Sequence, residues 1–253
     1  MYVIKKAISL AFSVGIFTTF GAGLYAGELK VLTEDFAPFN YMEKGELTGF
    51  TTEIVETLLE KTKTRPARGK ILIWPWKRAY QTALEEENVL LFTTTRTPER
   101  EDLFKWVGPI YPREQWMFKL KERTDIKADT LEETKNYKIV TVKDSANHKF
   151  LIKHGFPGTN LFTTNTWDSK IKMLLGGRAD LAPYIPLELS YRLRRIGKRY
   201  DMVEPLFLAS GDLLYYLAFS KGTSDGVVVR FQQALSVMKQ DGTYDALLKK
   251  YMK

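Results

Sequence analysis

The sequence predicts an α/β protein built from two units, each a mostly parallel sheet flanked by helices. Short apolar segments with strand character alternate with longer segments whose apolar residues recur at helical spacing. This alternation is typical of parallel sheets covered by helices. It occurs once before and once after about residue 120, and a chain of this length has room for two cores.

The first unit is predicted to follow a β-α-β-α-β order. Its first helix is indicated by Ile54, Val55 and Leu58, which fall on one helical face, and a threonine is available as the N-terminal cap. The predicted segments are strand 29–33, helix 51–63, strand 71–74, helix 76–87 and strand 89–94.

The second unit repeats the alternation and is followed by two terminal helices. Its second helix is expected to end at Gly176 and Gly177, because glycine is common at helix C-termini. The predicted segments are strand 137–142, a turn and cap at 144–147 before a helix, strand 161–163, helix 168–175, strand 179–184, strand 213–220, helix 224–240 and helix 243–251.

Two connections, near residues 118–122 and 210–212, are predicted to cross between the units. The second lobe, 120–212, would then be an insertion in a first lobe formed by 27–119 and 213–253. Two lobes joined by two chain segments form a hinge. The cleft between them would collect the carboxyl ends of the parallel strands, where open α/β sheets bind ligands.

Residues 1–26 are predicted to be a signal peptide. Lys5 and Lys6 form a short positive region, residues 8–20 are apolar, and small residues lead up to a cleavage site near Ala26. The alternative is a membrane anchor. It is the weaker interpretation, because the apolar run is short of the roughly 20 residues that span a bilayer.

Composition narrows the function classes. The chain contains no cysteine, and its two histidines, His148 and His154, have no metal-ligand spacing, so no metal or cofactor is expected. The formal charge is +8. Nucleic acid is a poor explanation of that charge in an exported protein. An anionic ligand, an anionic surface or solubility explains it better.

A group of hydroxyl and guanidinium side chains follows the strand at 89–94. Thr93, Thr95, Arg96 and Arg100 lie at or just beyond the end of this apolar segment. Arginine offers a rigid fork of donors that matches a carboxylate, and threonine hydroxyls both donate and accept. The stretch therefore suggests capture of a small anion. The alternative is a strand, a turn and the solvated start of a helix.

From residue 29 to the end, motifs resemble those of the bacterial extracellular solute-binding proteins of the polar-amino-acid type. The matching segments are 33–41 (TEDFAPFNY), Gly45 with 47–50 (LTGF), 96–101 (RTPERE), 177–180 (GRAD), 219–222 (FSKG) and 241–244 (DGTY). The resemblance implies the two-lobed type II periplasmic binding fold. It also implies a periplasmic location, a monomer, a small carboxylate-bearing ligand, and an ABC permease in the inner membrane as partner.

The resemblance assigns roles to particular residues. Arg100 would clasp the ligand carboxylate, with Thr95 and Thr93 adding hydrogen bonds. Phe36 would pack on the ligand, and Ser145 would contact it from the turn after the first strand of the second lobe, at a helix N-terminus.

Three further residues complete the predicted site. Trp74, at a strand end, is expected to wall the pocket, whereas Trp76 begins a helix and is expected to pack. Core packing is the alternative for both tryptophans. Tyr184 is a candidate contact from the second lobe. Arg96 is either a helper of Arg100 or a surface residue.

The ammonium end of an amino-acid ligand has no obvious partner. The region after segment 177–180 carries no carboxylate until Glu188. A buried ammonium group without a counter-charge is costly. Either the ligand lacks an α-ammonium group, or Glu188 or Asp35 pairs with it.

Two other functions remain open at this point. Some relatives of this fold are dehydratases of cyclic carboxylates, and Glu34, Asp35 or Glu188 could be proposed as acid–base groups. No nucleophile or metal set marks an enzyme. The second alternative is a stand-alone ligand sensor for a receptor.

Overall fold

The computed structural model describes residues 28–156 and 158–252. The predicted signal peptide, residues 1–26, lies outside the described residues. In chain order the elements are β1 (Lys30–Thr33), β2 (Tyr41–Glu43), β3 (Glu46–Thr48), α1 (Phe50–Lys61), β4 (Leu72–Ile73), α2 (Trp76–Glu85), β5 (Val89–Arg96), β6 (Phe104–Pro112), β7 (Gln115–Leu120), β8 (Ile139–Val142), α3 (Ala146–Lys153), β9 (Leu161–Thr164), α4 (Trp167–Leu175), β10 (Ala182–Tyr184), α5 (Pro186–Arg195), β11 (Val203–Ser210), β12 (Leu214–Ser220), α6 (Asp225–Gln240) and α7 (Thr243–Met252). The predicted helices and strands are present, with ends shifted by up to three residues.

The first sheet has the strand order β4-β1-β5-β12-β6. β1 pairs in parallel with β4 and β5, and β12 pairs antiparallel with β5 and β6. Both faces of this sheet are covered. Along β5, Leu90 and Phe92 pack towards α1 and α6, whereas Val89 and Leu91 pack towards α2. A strand buried on both faces needs a continuous apolar run, which is what the sequence of β5 provides.

The second sheet is formed by strands that lie, in the sequence, between β6 and β12 of the first sheet. β7 lies between β10 and β11 and pairs antiparallel with both. β8 and β9 form a parallel pair, and a bridge from Ile139 to Leu181 brings this pair beside the segment that leads into β10. Apolar residues of α4 and α5 pack against β7 and β10 to form a core of their own.

The chain changes sheets at two adjacent connections. β6 ends at Pro112 in the first sheet and β7 begins at Gln115 in the second. The return runs from β11, ending at Ser210, to β12. The backbone N–H of Arg113 donates to the carbonyl of Leu213 (2.9 Å), so the two connections lie side by side.

The first connection lies earlier than the sequence suggests. Residues 118–122 were the expected crossing, but Phe118 is inside β7, opposite Ala182 on one side and Pro205 on the other. The chain leaves the first sheet where Pro112 cannot donate to a ladder. The charged residues Arg113 and Glu114 follow it.

Helix α5 packs against both sheets' cores. Leu189 belongs to the core of the second sheet, while Leu187 packs in that of the first. Tyr191 meets Tyr41 edge-on with ring centroids 5.1 Å apart. The hydroxyl of Ser190 donates to the carbonyl of Tyr251 in α7 (3.2 Å). No helix within 28–156 and 158–252 is both long and apolar enough to cross a bilayer.

Candidate ligand-binding site

Two adjoining cavities lie beside the connections between the sheets. The first cavity, of about 430 Å³, is lined by Glu34, Phe36, Trp76, Thr93, Thr95, Thr97, Arg100, Arg113, Leu213 and Tyr215. The second cavity, of about 410 Å³, shares Phe36, Arg113 and Tyr215 with the first and adds residues from α3, α4 and α5. Both volumes are in the range of small-molecule sites. The first cavity lies where β1 and β5 end.

A bulge in β5 shapes the floor of the first cavity. Opposite β12, Phe92 and Thr94 are paired and Thr93 between them is skipped. Thr93 has a positive φ of 59°, which is uncommon for a β-branched residue. Its hydroxyl donates to the side-chain oxygen of Asn40, whose amide donates to the carbonyl of Glu34 (2.6 Å). Since that proton is already engaged, Thr93 offers a ligand only its oxygen and serves chiefly to fix the floor.

Arg100 lies in a 3₁₀ turn, Pro98–Leu103, that directly follows β5. One guanidinium nitrogen donates to the carbonyl of Thr95 (3.1 Å). The guanidinium carbon lies 5.1 Å from the ring of Tyr80 and 5.6 Å from that of Trp76, within the range of cation–π attraction. These contacts orient the side chain and leave its other donors available.

Arg96 has a different environment from Arg100. Its guanidinium makes a two-pronged ion pair with Glu101, with one N–O distance of 2.7 Å, and lies over the ring of Tyr216 at 5.1 Å. It does not line either cavity. Of the two roles that the sequence allows for Arg96, a surface residue is the better description.

The two tryptophans exchange the positions expected from the sequence. Trp76 lines the first cavity, whereas Trp74 does not. Trp74 instead stacks against Arg78, whose guanidinium carbon lies 3.9 Å from the centroid of the tryptophan ring. Both tryptophans also pack against the apolar cluster that includes Ala79 and Ala83 of α2, as the packing alternative expects.

Tyr184 is also outside both cavities. Its side chain is fully buried, and the ammonium nitrogen of Lys170 lies 3.6 Å from the ring centroid. Burial raises the pKa of this phenol well above its usual value. The hydroxyl has no hydrogen-bond partner among the described residues. Tyr184 is therefore part of the second core and not of the cavity wall.

Ser145 lies where the sequence predicts. It caps α3, its hydroxyl accepting from the backbone N–H of His148 (3.2 Å), and it lines the second cavity beside Ala146. Asp144 precedes it with a φ of 58°. Aspartate tolerates this left-handed conformation better than most residues.

Two charged residues of the first cavity were not predicted as ligand contacts. Glu34 directly follows β1 and is half-buried, and its pKa is raised by burial and, to a lesser extent, by neighbouring Asp35. Arg113 lies in the first connection between sheets and lines both cavities. The carboxyl end of β1 was a usable signal for Glu34. No motif surrounds Arg113, so only the topology identifies it.

The carboxylates that were candidates for an ammonium group lie by the second cavity. Asp35 and Glu188 both line it. Glu188 accepts from the Nε of Arg192 (2.9 Å), so its charge is already paired. Within the described chain, no group of three His, Asp or Glu side chains is placed to hold a metal ion.

The fold and the paired cavities define a class of two-lobed binding proteins. The model of the bacterial extracellular solute-binding proteins, family 3, matches residues 29–253, and the chain belongs to this family. The amino-acid-binding protein AabA of Dichelobacter nodosus is 25% identical over 228 residues, covering 86% of this chain and 84% of the relative. YxeM of Bacillus subtilis (strain 168), described as a probable amino-acid-binding protein, is 26% identical over 227 residues, covering 85% and 79%.

A solved structure supports the fold. The second substrate-binding domain of Lactococcus lactis GlnP, in its open conformation, superimposes with a TM-score of 0.73 at 16% identity, covering 89% of this chain and 95% of the domain. The type II periplasmic binding fold expected from the sequence is thereby confirmed. The family is one of solute-binding proteins, so the chain is a solute-binding protein and not an enzyme. The extracellular family also implies a location outside the cytoplasm.

Proposed function

We propose that the protein captures an amino acid, or a closely related small carboxylate, between its two lobes in the periplasm and presents it to an ABC permease in the inner membrane. The observation that carries this proposal is Arg100. Its guanidinium lines a cavity of about 430 Å³ beside the hydroxyls of Thr95 and Thr97, and no carboxylate of the described residues pairs with it. A preoriented guanidinium of this kind favours a carboxylate ligand.

The proposed lobes follow the strand pairing. The first lobe comprises 28–112 and 214–252, the second comprises 115–210, and the two short connections between them form the hinge. The first cavity belongs mainly to the first lobe, and the second cavity adds Ser145 and Trp167 from the second lobe. A ligand held by Arg100 and Thr95 against Phe36 would meet Ser145 as the lobes close, and would thereby stabilise the closed state.

A thermal-unfolding screen tests this function. Amino acids are compared with the amines that result from removing their carboxyl group. A ligand at a hundredfold excess over its Kd stabilises the folded state by about 2.7 kcal/mol. We expect at least one amino acid to raise the unfolding midpoint and its decarboxylated amine to have no effect. Equal stabilisation by the amine would contradict the role given to Arg100. Mass spectrometry of whatever co-purifies with the protein guides the choice of compounds.

A stand-alone sensor remains a less favoured alternative, since the named relatives are amino-acid-binding proteins. Dependence on a permease distinguishes a transport protein from a sensor. Transport of the stabilising amino acid into cells should require both this protein and an ABC permease.

A further inference from the structure

The first cavity is lined by two guanidinium groups without a carboxylate partner. No carboxylate oxygen of the described residues lies within 4.0 Å of the side-chain nitrogens of Arg100 or Arg113. Elsewhere in the described chain, a carboxylate pairs with the guanidinium groups of Arg96, Arg123, Arg192 and Arg199. Two unpaired cations therefore converge on the first cavity.

The same cavity contains one carboxylate without a cation. Glu34 lines it, and no lysine, arginine or histidine nitrogen of the described residues lies within 4.0 Å of its oxygens. The group is half-buried, and burial is the main cause of its raised pKa. A cation placed beside Glu34 would offset this cost of burial.

The first cavity thus presents two positive groups and one negative group. A ligand with a single carboxylate would leave one guanidinium desolvated and unpaired when the cleft closes, which is costly. We infer that the ligand is an amino dicarboxylate, with one carboxylate on Arg100, the second on Arg113 and its ammonium group on Glu34. This inference rests on the proposed function and adds the class of ligand to it.

The position of Arg113 makes it a specificity-determining residue. It lies in the connection between the sheets, where its backbone N–H is fixed to the carbonyl of Leu213 (2.9 Å). Its side chain lines the second cavity as well as the first. A carboxylate on Arg113 would therefore lie at the hinge, between the Arg100 side of the cleft and Ser145. A neutral amide in that place would lose the ion pair.

Titration calorimetry on the wild-type protein tests the ligand class. The probes are L-glutamate and L-aspartate, their neutral amides L-glutamine and L-asparagine, and glutarate and succinate, which lack the ammonium group. We expect one acidic amino acid to bind at least about 30-fold more tightly than both its amide and its amine-free analogue, since removing one partner of a buried ion pair costs about 2 kcal/mol or more.

Three variants at two positions assign that preference to residues. Arg113→Gln should remove the preference for the acidic amino acid over its amide, and Arg113→Lys should restore part of it. Glu34→Gln should remove the preference for the amino acid over the amine-free dicarboxylate. Circular dichroism checks that each variant is folded. The calorimetry on the wild-type protein tests the ligand class even if a variant does not fold.

Failure of this inference is distinct from failure of the proposed function. If a neutral amino acid binds the wild-type protein as tightly as the acidic ones, the ligand class is wrong while the solute-binding function stands. The same holds if Arg113→Gln is folded and keeps the full preference. If none of these compounds and no other amino acid binds, the proposed function itself is contradicted.

Discussion

At the scale of single residues, Lys170 is a buried charge with few compensating contacts. Its side chain in α4 is fully buried, and its ammonium group donates to the carbonyl of Pro183 (2.5 Å) and faces the ring of Tyr184. Burial lowers the pKa of Lys170 to about 7. Nearby Glu188 opposes this shift and Arg192 adds to it.

The depressed pKa of Lys170 predicts a pH dependence of stability. Below about pH 7 the ammonium is charged in both states and the full cost of burying it is present. Between pH 7 and about 10 the unfolded state binds more protons, so this cost falls by up to about 1.4 kcal/mol per pH unit as pH rises. Replacing Lys170 by methionine should therefore stabilise the protein most at pH 6, relative to wild type, and progressively less towards pH 9.5.

Chemical denaturation at a series of pH values measures this difference. Lys172→Met is the matched control, because Lys172 lies on the same helix and is exposed. Its effect on the free energy of unfolding should be small at every pH. A difference between Lys170→Met and wild type that does not change with pH would show that Lys170 keeps an ordinary pKa in the folded protein.

The sequence was informative about residues whose position follows from strand ends and motifs. Phe36, Thr93, Thr95 and Arg100 do lie around one cavity, and Ser145 lies around its neighbour. Their roles in binding remain predictions.

The sequence was misleading where side-chain direction depends on packing. Trp74 and Tyr184 were predicted to line the pocket, but neither lines a cavity: Trp74 lies against the guanidinium of Arg78, and Tyr184 is buried beside Lys170. Arg113 was missed because only the topology brings it beside the cavity, whereas the position of Glu34 directly after β1 was a usable signal.

At the scale of elements, the bulge in β5 determines how the floor of the first cavity is held together. The hydroxyl of Thr93 satisfies the side-chain oxygen of Asn40, which is fully buried. Thr93→Val keeps the side-chain shape and leaves that oxygen without its donor. A buried acceptor left unpaired costs about 1–3 kcal/mol. We expect Thr93→Val to lower the free energy of unfolding by this amount and to weaken ligand binding.

Thr93→Ser is the matched control for this prediction. It retains the hydroxyl and removes only a methyl group, so its stability and affinity should remain closer to wild type than those of Thr93→Val. Denaturant unfolding and calorimetry on both variants provide the comparison. Equal effects of the valine and serine variants would mean that the methyl group, and not the hydrogen bond to Asn40, is what matters.

Several elements could not be predicted because their apolar residues do not recur at a spacing typical of either a helix or a strand. β7 pairs on both sides, so its apolar run resembles that of a buried segment of any kind. α5 carries three arginines in its last turn, yet it buries six residues and contributes to both cores. Pro186, at its start, is favourable as a first helical residue and was the sequence signal that could have indicated this helix.

At the scale of the whole molecule, the two sheets are connected by more than the two chain segments that cross between them. α5 buries Leu187 in one core and Leu189 in the other, and its Ser190 is hydrogen-bonded to α7. The alternating order of strands and helices was sufficient to predict the two-lobed fold. The contact of α5 with α7 joins segments about 60 residues apart and has no local signature, so it becomes visible only in the structure.

The central claim concerns the whole cleft: Arg100 holds the ligand by binding its carboxylate. Calorimetry on Arg100→Ala, with the amino acid that most stabilises the wild-type protein, tests it most directly. Arg96→Ala is the control, because Arg96 is four residues away, paired with Glu101 and outside both cavities. We expect Arg100→Ala to weaken binding by at least about 30-fold and Arg96→Ala to change it by no more than about fivefold. A folded Arg100→Ala variant with near-wild-type affinity would contradict the account.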